Sequence, residues 1–446
     1  MYKNYNKIYF IGIGGIGMSS IALYFINNGK QVAGYDQTIT DLTKKLSNLG
    51  AKIHYDSSLS EIPEEFKNNN EVLIIYTPAI PLSNIELSFF FDNNFTVLKR
   101  SEILGYISQD KFCIAIAGTH GKTTTATILS HILYENNIKF TSFIGGISEN
   151  YDSNFIQNGN DVILVEADEF DRSFLTLNPN ISCITSVDSD HLDVYNSNSE
   201  LQKSFNEFAS KLELNGVLFK HYDVPIDGVS YGFNKNAEYS IINYRNDESS
   251  TFFDVVYEKE SSISVKFNMP GKHNACNALV AFAIGRLLKI NDEQIVNSLN
   301  TFKGVKRRFS YILRSPKILI DDYAHHPNEI KAIYESVKSL YPEKSIMAIF
   351  QPHLYSRTQD FMNQFAQVLS KFDEVTLLDI YPAREEPIKG VNSNKLLNQI
   401  NNSNKNLVDK LELKKVVKDS KADVFIIMGA GDISDEVYKI KDVILN

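Results

Sequence analysis

The stretch IAGTHGKTTT, Ile116–Thr125, decides the fold. The apolar run FCIAIA leads into it, and a segment of helical composition leaves it from Lys122 onward. A buried strand that turns through glycines straight into a helix is the building unit of an α/β sheet. G-T-H-G-K-T sets Lys122 and Thr123 where a phosphate-binding loop places its lysine and its magnesium-binding hydroxyl. The loop is shorter than the G-x-x-x-x-G-K-[ST] form, because the first-glycine position is Ile116. The physics is the same: N–H groups and the dipole at a helix N-terminus face an anion, and Lys122 neutralises it. Gly118, Thr119, His120, Gly121, Lys122, Thr123 and Thr124 are therefore candidate nucleotide-binding residues. A strand-to-helix turn with a chance Lys-Thr pair is the alternative. It leaves unexplained why β-branched threonines, poor helix formers, fill a first turn.

Outward from this loop, short apolar runs alternate with helix-like segments. KIYFIGIG, QVAGYD and EVLIIYTP read as strands of a first parallel unit ending near Ser108. FCIAIAG, DVILVEAD and ISCITSVD read as strands of a second, near-continuously apolar as strands covered on both faces are. From about 221 to 268 the runs FFDVVYE and SISVKFN alternate, which predicts a small antiparallel addition to the second domain. Helical spacing returns at NACNALVAFAIGRLLKI. KILIDDYA, SIMAIFQ, EVTLLDIY and DVFIIMGAGD open a third unit. The expectation is an α/β protein of three domains, each on a mainly parallel sheet: a Rossmann-like domain over 1–108, a P-loop-type domain over 109–310 and a Rossmann-like domain over 311–446.

Bulk properties bound the function. At roughly 150 residues per domain, 446 residues suggest about three domains. A net charge of -9 argues against a nucleic-acid partner, whose footprint is basic. Cys113, Cys183 and Cys276 stand far apart with no C-x-x-C and read as buried apolar residues in a reducing compartment. The N-terminus does not read as a signal peptide, and no apolar stretch approaches the roughly 18 residues of a membrane span. A cytoplasmic protein with no membrane partner is expected.

Two further motifs carry chemistry. GIGGIG, Gly12–Gly17, fits G-x-G-x-x-G through Gly12, Gly14 and Gly17, with Gly15 between and Asp36 ending the next apolar run. That is the fingerprint of a nucleotide pyrophosphate site, and it raises the reading of a dehydrogenase. Magnesium needs hard oxygen ligands. Glu166, at the C-terminal end of a buried strand, is the favoured candidate, with Asp168, Glu169 and Asp171 following. DSDHLD, Asp188–Asp193, repeats the arrangement and offers His191 as a second metal or substrate contact; acids enriched at a helix N-terminus compete with that reading.

G-T-H-G-K-T-T-T, EADE, DSDHLD, GKHNACN, GVKRRF, DDYAHHP, QPHLYSRT and LDIYPAREEP occur in this order. Together they resemble the Mur ligases, ATP-dependent amino-acid ligases of peptidoglycan precursor synthesis. Six of the nine histidines lie in these motifs, a concentration that scattered core histidines would not produce. The His in G-T-H-G-K-T and YPAREEPI resemble the branch that adds L-alanine to UDP-N-acetylmuramate. The resemblance implies ATP and Mg2+ as cofactors and UDP-N-acetylmuramate and L-alanine as small-molecule substrates; oligomeric state stays open. It implies that the first domain binds the UDP-sugar through Gly12, Gly14, Gly15, Gly17 and Asp36, with Thr77 in YTPAIP and Lys99–Glu102 as weaker candidates and His191 on the substrate side. The glycine motif then reports a pyrophosphate, and hydride transfer becomes the weakest reading.

By the same resemblance His273, Asn274, Asn277, Arg308 and Asp322 meet the ATP, with Arg307 less specific. Lys122, His325, His326, His353 and Arg357 are catalytic, Thr123, Glu166 and His191 hold metal, and Arg384 and Glu385 are secondary. Leu354 departs from the pattern H-R-Y-S-R, which leaves Arg357 with more of the alanine carboxylate. Where several sister ligases carry a modified lysine this chain has Phe205 and Asn206, so no carbamylated lysine is expected. The implied route is an acyl phosphate formed from the lactyl carboxylate, then attack by a neutral amine whose proton passes to His325, His326 or His353. Because acyl phosphates hydrolyse, the third domain is expected to close when ATP binds. A ligase that attaches a recycled tripeptide shares the loop motif and is the nearest rival; a binding-only protein with a dead site is the more distant one.

Overall fold

Parallel sheets place the loops named above at strand ends. The computed structural model describes residues 2–68, 70–188, 195, 197–247, 250–258, 261–383 and 385–446. These form two compact units: Met1–Ser240 with Val256–Ser261 and Asn277–Ser298, and Ile241–Val255 with Ser262–Cys276 and Leu299–Asn446.

In the first unit β1 (Lys7–Ile11), β2 (Gln31–Tyr35), β3 (Lys52–His54), β4 (Val72–Tyr76) and β5 (Thr96–Lys99) form a parallel sheet of order β3-β2-β1-β4-β5. The order reverses between β1 and β4, and such switch points open a crevice at the carboxyl ends of the strands. Gly12 follows β1 there and Thr77 follows β4. The helix Ile16–Asn27 starts directly after the glycine turn and buries Met18–Leu23 and Phe25.

A second sheet begins with β6 (Phe112–Ala117), β7 (Phe140–Ser148), β8 (Ser153–Gln157), β9 (Val162–Glu166), β10 (Ile181–Ile184), β11 (Val217–His221) and β12 (Val229–Gly232), in the order β12-β11-β10-β6-β9-β7-β8. β6 is central, parallel to both β9 and β10, with Ile116 opposite Glu166 and Ala117 opposite Ile184. The helix Lys122–Glu135 is buried from Thr123 to Leu133. That explains its threonines: burial between neighbours, not helix propensity, selects small branched side chains. The antiparallel hairpin β7–β8 carries no alternation that would have exposed it in the sequence.

β13 (Tyr239–Asn246), β14 (Thr251–Tyr257) and β15 (Ser261–Phe267) follow, and the division between units runs through them. The alternating runs FFDVVYE and SISVKFN, expected as an antiparallel addition, form β14 and β15 at one end of the second sheet. The β11–β12 and β12–β13 pairs that lead to them are parallel. Alternation reports that one face is covered; it says nothing about strand direction.

The second unit is built on β16 (Ser310–Leu313), β17 (Ile318–Asp322), β18 (Ile346–Phe350), β19 (Glu374–Leu377), β20 (Lys405–Leu407) and β21 (Val424–Met428), in the order β16-β17-β21-β18-β19-β20. Only β16 runs antiparallel. Asp322 and Phe350 both stand opposite Met428, so the loops after β17 and β18 leave the same edge. Cys113, Cys183 and Cys276 are buried free thiols, as expected. Among the described residues no helix is long and apolar enough to cross a membrane.

Candidate active site

At the first switch point Gly12 has φ +86, a region costly for any residue with a Cβ, and an added Cβ would stand 2.8 Å from Thr77. Gly14 N–H donates to Asp36 Oδ2 at 2.7 Å and Thr38 N–H to Oδ1 at 3.0 Å. Asp36 thus braces the glycine turn from beneath. Gly15 caps the helix without a side chain, so the first-turn N–H groups of Ile16, Gly17 and Met18 lack carbonyl partners from a preceding turn. Arg100 Nη1 lies against Gly17, within the space a Cβ would occupy. A helix N-terminus with a guanidinium beside it is a setting for an anion.

Below β6 the second loop is held by β10's end. Thr119 N–H donates to Ser186 O at 3.1 Å, and His120 N–H to Ser186 Oγ at 2.9 Å. His120 Nε2 is 3.4 Å from Asp188 Oδ2. Gly118, with φ +127, leaves no room for a Cβ beside Thr185. Gly121 faces Asn277, whose Oδ1 would be 2.7 Å from a Cβ there. Thr124 is buried in the helix's first turn. Glycines with no room for a Cβ and a helix that opens at Gly121 are the geometry a phosphate-binding loop needs.

Lys122 Nζ donates to Gly118 O at 2.6 Å and to both oxygens of Glu169, at 2.8 and 2.7 Å. Burial works against the ammonium; the carboxylates of Glu169, Asp168 and Glu166 outweigh it and hold its pKa above the ordinary lysine value. Thr123 Oγ1 donates to Glu166 Oε1 at 2.8 Å, while Gly145 N–H donates to Oε2 at 2.6 Å. Burial raises the Glu166 pKa, against Lys122 and these two donors. An alcohol and a half-buried carboxylate aimed at one point are hard donors that fit a magnesium ion completing its shell with water and phosphate. Among the described residues there is no cluster of three His, Cys, Asp or Glu that would hold a metal alone. His191, read as a metal and substrate ligand, lies outside the described residues.

In the second unit Asp322 ends β17 and accepts from Phe309 N–H and Ala324 N–H, each at 2.7 Å. Burial pushes its pKa up to about 6, against Arg308. Arg308 lies over the Tyr323 ring, and its Nη1 is 3.7 Å from Glu329 Oε1. His325 Nδ1 donates to Tyr323 O at 2.9 Å, so the neutral imidazole carries its basic lone pair on Nε2. The His325 and His353 rings are 6.0 Å apart, and His353 stacks on Tyr381. Arg357 Nη1 donates to His353 Nδ1 at 3.4 Å, which puts the His353 proton on Nε2.

His326 stands apart from this group. It is buried against Phe361, and its Nδ1 accepts from Asn328 N–H as the cap of the helix Pro327–Leu340. Arg307 is bound inward, donating to Gly429 O and pairing with Asp321 at 3.5 Å. Asn274 is buried and donates to Pro270 O at 2.7 Å. Leu354 takes φ +71 at the cap of the helix Tyr355–Asp360, an unusual conformation for a leucine between two site residues. Glu385 accepts from Ser356 N–H at 3.0 Å, and Arg384 lies outside the described residues. The sequence did not single out Glu169 as the partner of Lys122, nor Gly145 beneath Glu166. The acidic run signalled the first only collectively, and nothing in the sequence marked the second.

Three family models match the chain in order: the Mur ligase family catalytic domain over residues 7–112, the Mur ligase middle domain over 116–285, and the Mur ligase glutamate ligase domain over 307–431. The chain belongs to the Mur ligase family. Among its relatives is the UDP-N-acetylmuramate–L-alanine ligase of Christiangramia forsetii, 50% identical, with 100% of this chain and 99% of that one covered. The ligase of the same name from Flavobacterium psychrophilum is 51% identical over 98% of this chain and 97% of its own. Among solved structures, the UDP-N-acetylmuramate–alanine ligase of Thermotoga maritima superposes with a TM-score of 0.83 at 28% identity, covering 98% of both chains. A murein peptide ligase from Psychrobacter arcticus gives 0.74 at 22% identity over 99% of each chain, which shows a shared fold. The Mur ligase fold is a three-domain α/β architecture on parallel-dominated sheets, as the strand pattern predicted, and the family is ATP-dependent.

Proposed function

We propose that this Mur ligase joins L-alanine to the lactyl carboxylate of UDP-N-acetylmuramate in peptidoglycan precursor synthesis, with ATP cleaved to ADP and phosphate, in the cytoplasm. The observation that carries the substrate assignment is the 50% identity over the full chain to a UDP-N-acetylmuramate–L-alanine ligase. The tripeptide-attaching ligase remains the second reading; its support is likeness of fold at 22% identity.

In this reading 1–108 binds the UDP-sugar at Gly12–Gly17 and Arg100, 109–310 binds ATP phosphates, and 311–446 brings His325, His353 and Arg357 to the amino acid. A carboxylate is a poor electrophile, and two anions must meet when it attacks the γ-phosphate. Lys122 and the helix N-terminus at Gly121 cancel that repulsion. Thr123 and Glu166 would hold Mg2+, which supplies further charge neutralisation at the phosphates when bound. The attack forms an acyl phosphate and releases ADP. The alanine amine then attacks the acyl carbon, and phosphate leaves as the amide forms. Protonated amines have no lone pair, so a base is required; in this reading it is His325, supported by its Nδ1 bound to Tyr323 O, which leaves the lone pair on Nε2. Arg357 binds the alanine carboxylate.

The test is phosphate release from ATP with Mg2+, UDP-N-acetylmuramate and a panel of amino acids plus the tripeptide. Release that requires both UDP-N-acetylmuramate and L-alanine is the expected result. Release with the tripeptide alone would replace the substrate, and none with any combination would overturn the ligase reading.

A further inference from the structure

An ammonium has three N–H donors. Gly118 O and the two oxygens of Glu169 take Lys122's three at 2.6–2.8 Å, with Thr119 O a further acceptor at 3.5 Å. A phosphate that draws on Lys122 must therefore take a donor from one of them. Gly118 O belongs to the loop itself; Glu169 is the acceptor that carries charge, and it is fully buried. One residue earlier, Asp168 Oδ2 accepts from Arg100 Nη2 at 3.0 Å. Arg100 is the guanidinium against Gly17, at the other anion site. Two consecutive carboxylates, just past the end of β9, thus hold the leading cation of each phosphate site. The two carboxylates sit on one short body: Phe170 N–H donates to Asp168 Oδ1 at 3.1 Å, and the Tyr195 hydroxyl donates to Glu169 O.

We propose that Asp168 and Glu169 are positioning residues that couple the two phosphate sites, each holding one site's cation until phosphate displaces it. The inference rests on the ligase reading above. Separating Glu169 from Lys122 with the backbone fixed would strand a buried carboxylate, a strongly unfavourable state. The release therefore takes the segment with it, and Asp168 loosens from Arg100 as it moves. Occupying the nucleotide site frees the cation of the sugar-nucleotide site, and linkage makes the effect reciprocal.

The experiment is calorimetric titration of the full chain, wild type, D168N and E169Q. The ligands are a non-hydrolysable ATP analogue with Mg2+ and UDP-N-acetylmuramate, each alone and with the other saturating. In wild type each ligand is expected to tighten the other about fivefold or more, by the same factor in both directions. E169Q should bind the ATP analogue about fivefold tighter than wild type, D168N should bind the UDP-sugar tighter, and in both the coupling factor should fall toward one. A merely structural role for these carboxylates has the opposite sign, weaker binding in folded variants, and that result overturns the proposal. So does wild type that binds both ligands independently. Wild type that binds neither overturns the ligase reading and this inference with it. Should E169Q fail to fold, the wild-type titrations and D168N decide.

Discussion

Thr123 Oγ1 and Glu166 Oε1 meet at 2.8 Å, with Glu166 Oε2 fixed by Gly145 N–H, so one hydroxyl and one carboxylate converge beside the phosphate loop. If this pair holds the metal, E166Q keeps an acceptor for Gly145 N–H and loses the charge. The Mg2+ concentration for half-maximal phosphate release should rise about 10–100-fold, the usual scale for damage to a metal site. An unchanged Mg2+ titration would remove Glu166 from the metal site.

Lys122 and Glu169 form a buried pair, and breaking such a pair from one side costs about 3–5 kcal/mol because the other charge is stranded. K122A should therefore lose turnover by about 10²–10³-fold or more and also lose thermal stability. The double variant K122A/E169Q should recover most of the stability and none of the turnover. Melting curves and phosphate release on the two proteins separate the structural from the chemical contribution. Recovery of turnover in the double variant would contradict the assignment of Lys122.

Glu86 gives a pH dependence far from the chemistry. It is fully buried; Tyr9 OH donates to its Oε2 at 2.6 Å, and His54 Nε2 lies 3.7 Å from Oε1. Burial pushes its pKa up to about 7 from 4.5, against hydrogen bonds from Tyr9 and Ser58. The folded protein then binds the proton more tightly than the unfolded chain. Stability from this group is present below pH 4.5 and declines as pH rises toward 7, by about 3 kcal/mol in all. Relative to E86Q, wild type should lose stability between pH 5 and 8, read as denaturation midpoints across that range. Parallel curves would mean that Glu86 is ionised throughout.

Much of this was legible from strand ends. An apolar run that stops at glycines or acids, as FCIAIAG and DVILVEAD do, shows both a buried strand and the edge where ligands bind. The Gly118–Thr124 loop and Glu166 were singled out that way, and the structure brings Thr123 and Glu166 together. The unread parts depend on tertiary contact. Glu169 sits in a run of acids whose members look alike in sequence; only the turn after β9 sends Asp168 to Arg100 and Glu169 to Lys122. The β7–β8 hairpin brings Gly145 under Glu166 from twenty-one residues away in sequence. His325 and His326 are neighbours in one motif, and the helix start between them gives them different surroundings.

That last difference can be measured. His326 caps the helix Pro327–Leu340 from a buried position, whereas His325 has its Nδ1 fixed by Tyr323 O in the cluster with His353. Loss of a capping acceptor costs about 1 kcal/mol, so H326A should lower the melting temperature while retaining much of its turnover. H325Q should do the reverse. Its melting temperature should stay near that of wild type, and kcat should fall about 10²–10⁴-fold, the range for a general base. The KM for ATP and for UDP-N-acetylmuramate should change little, because the lost group acts on the amine. H325Q with full turnover would remove His325 as the base.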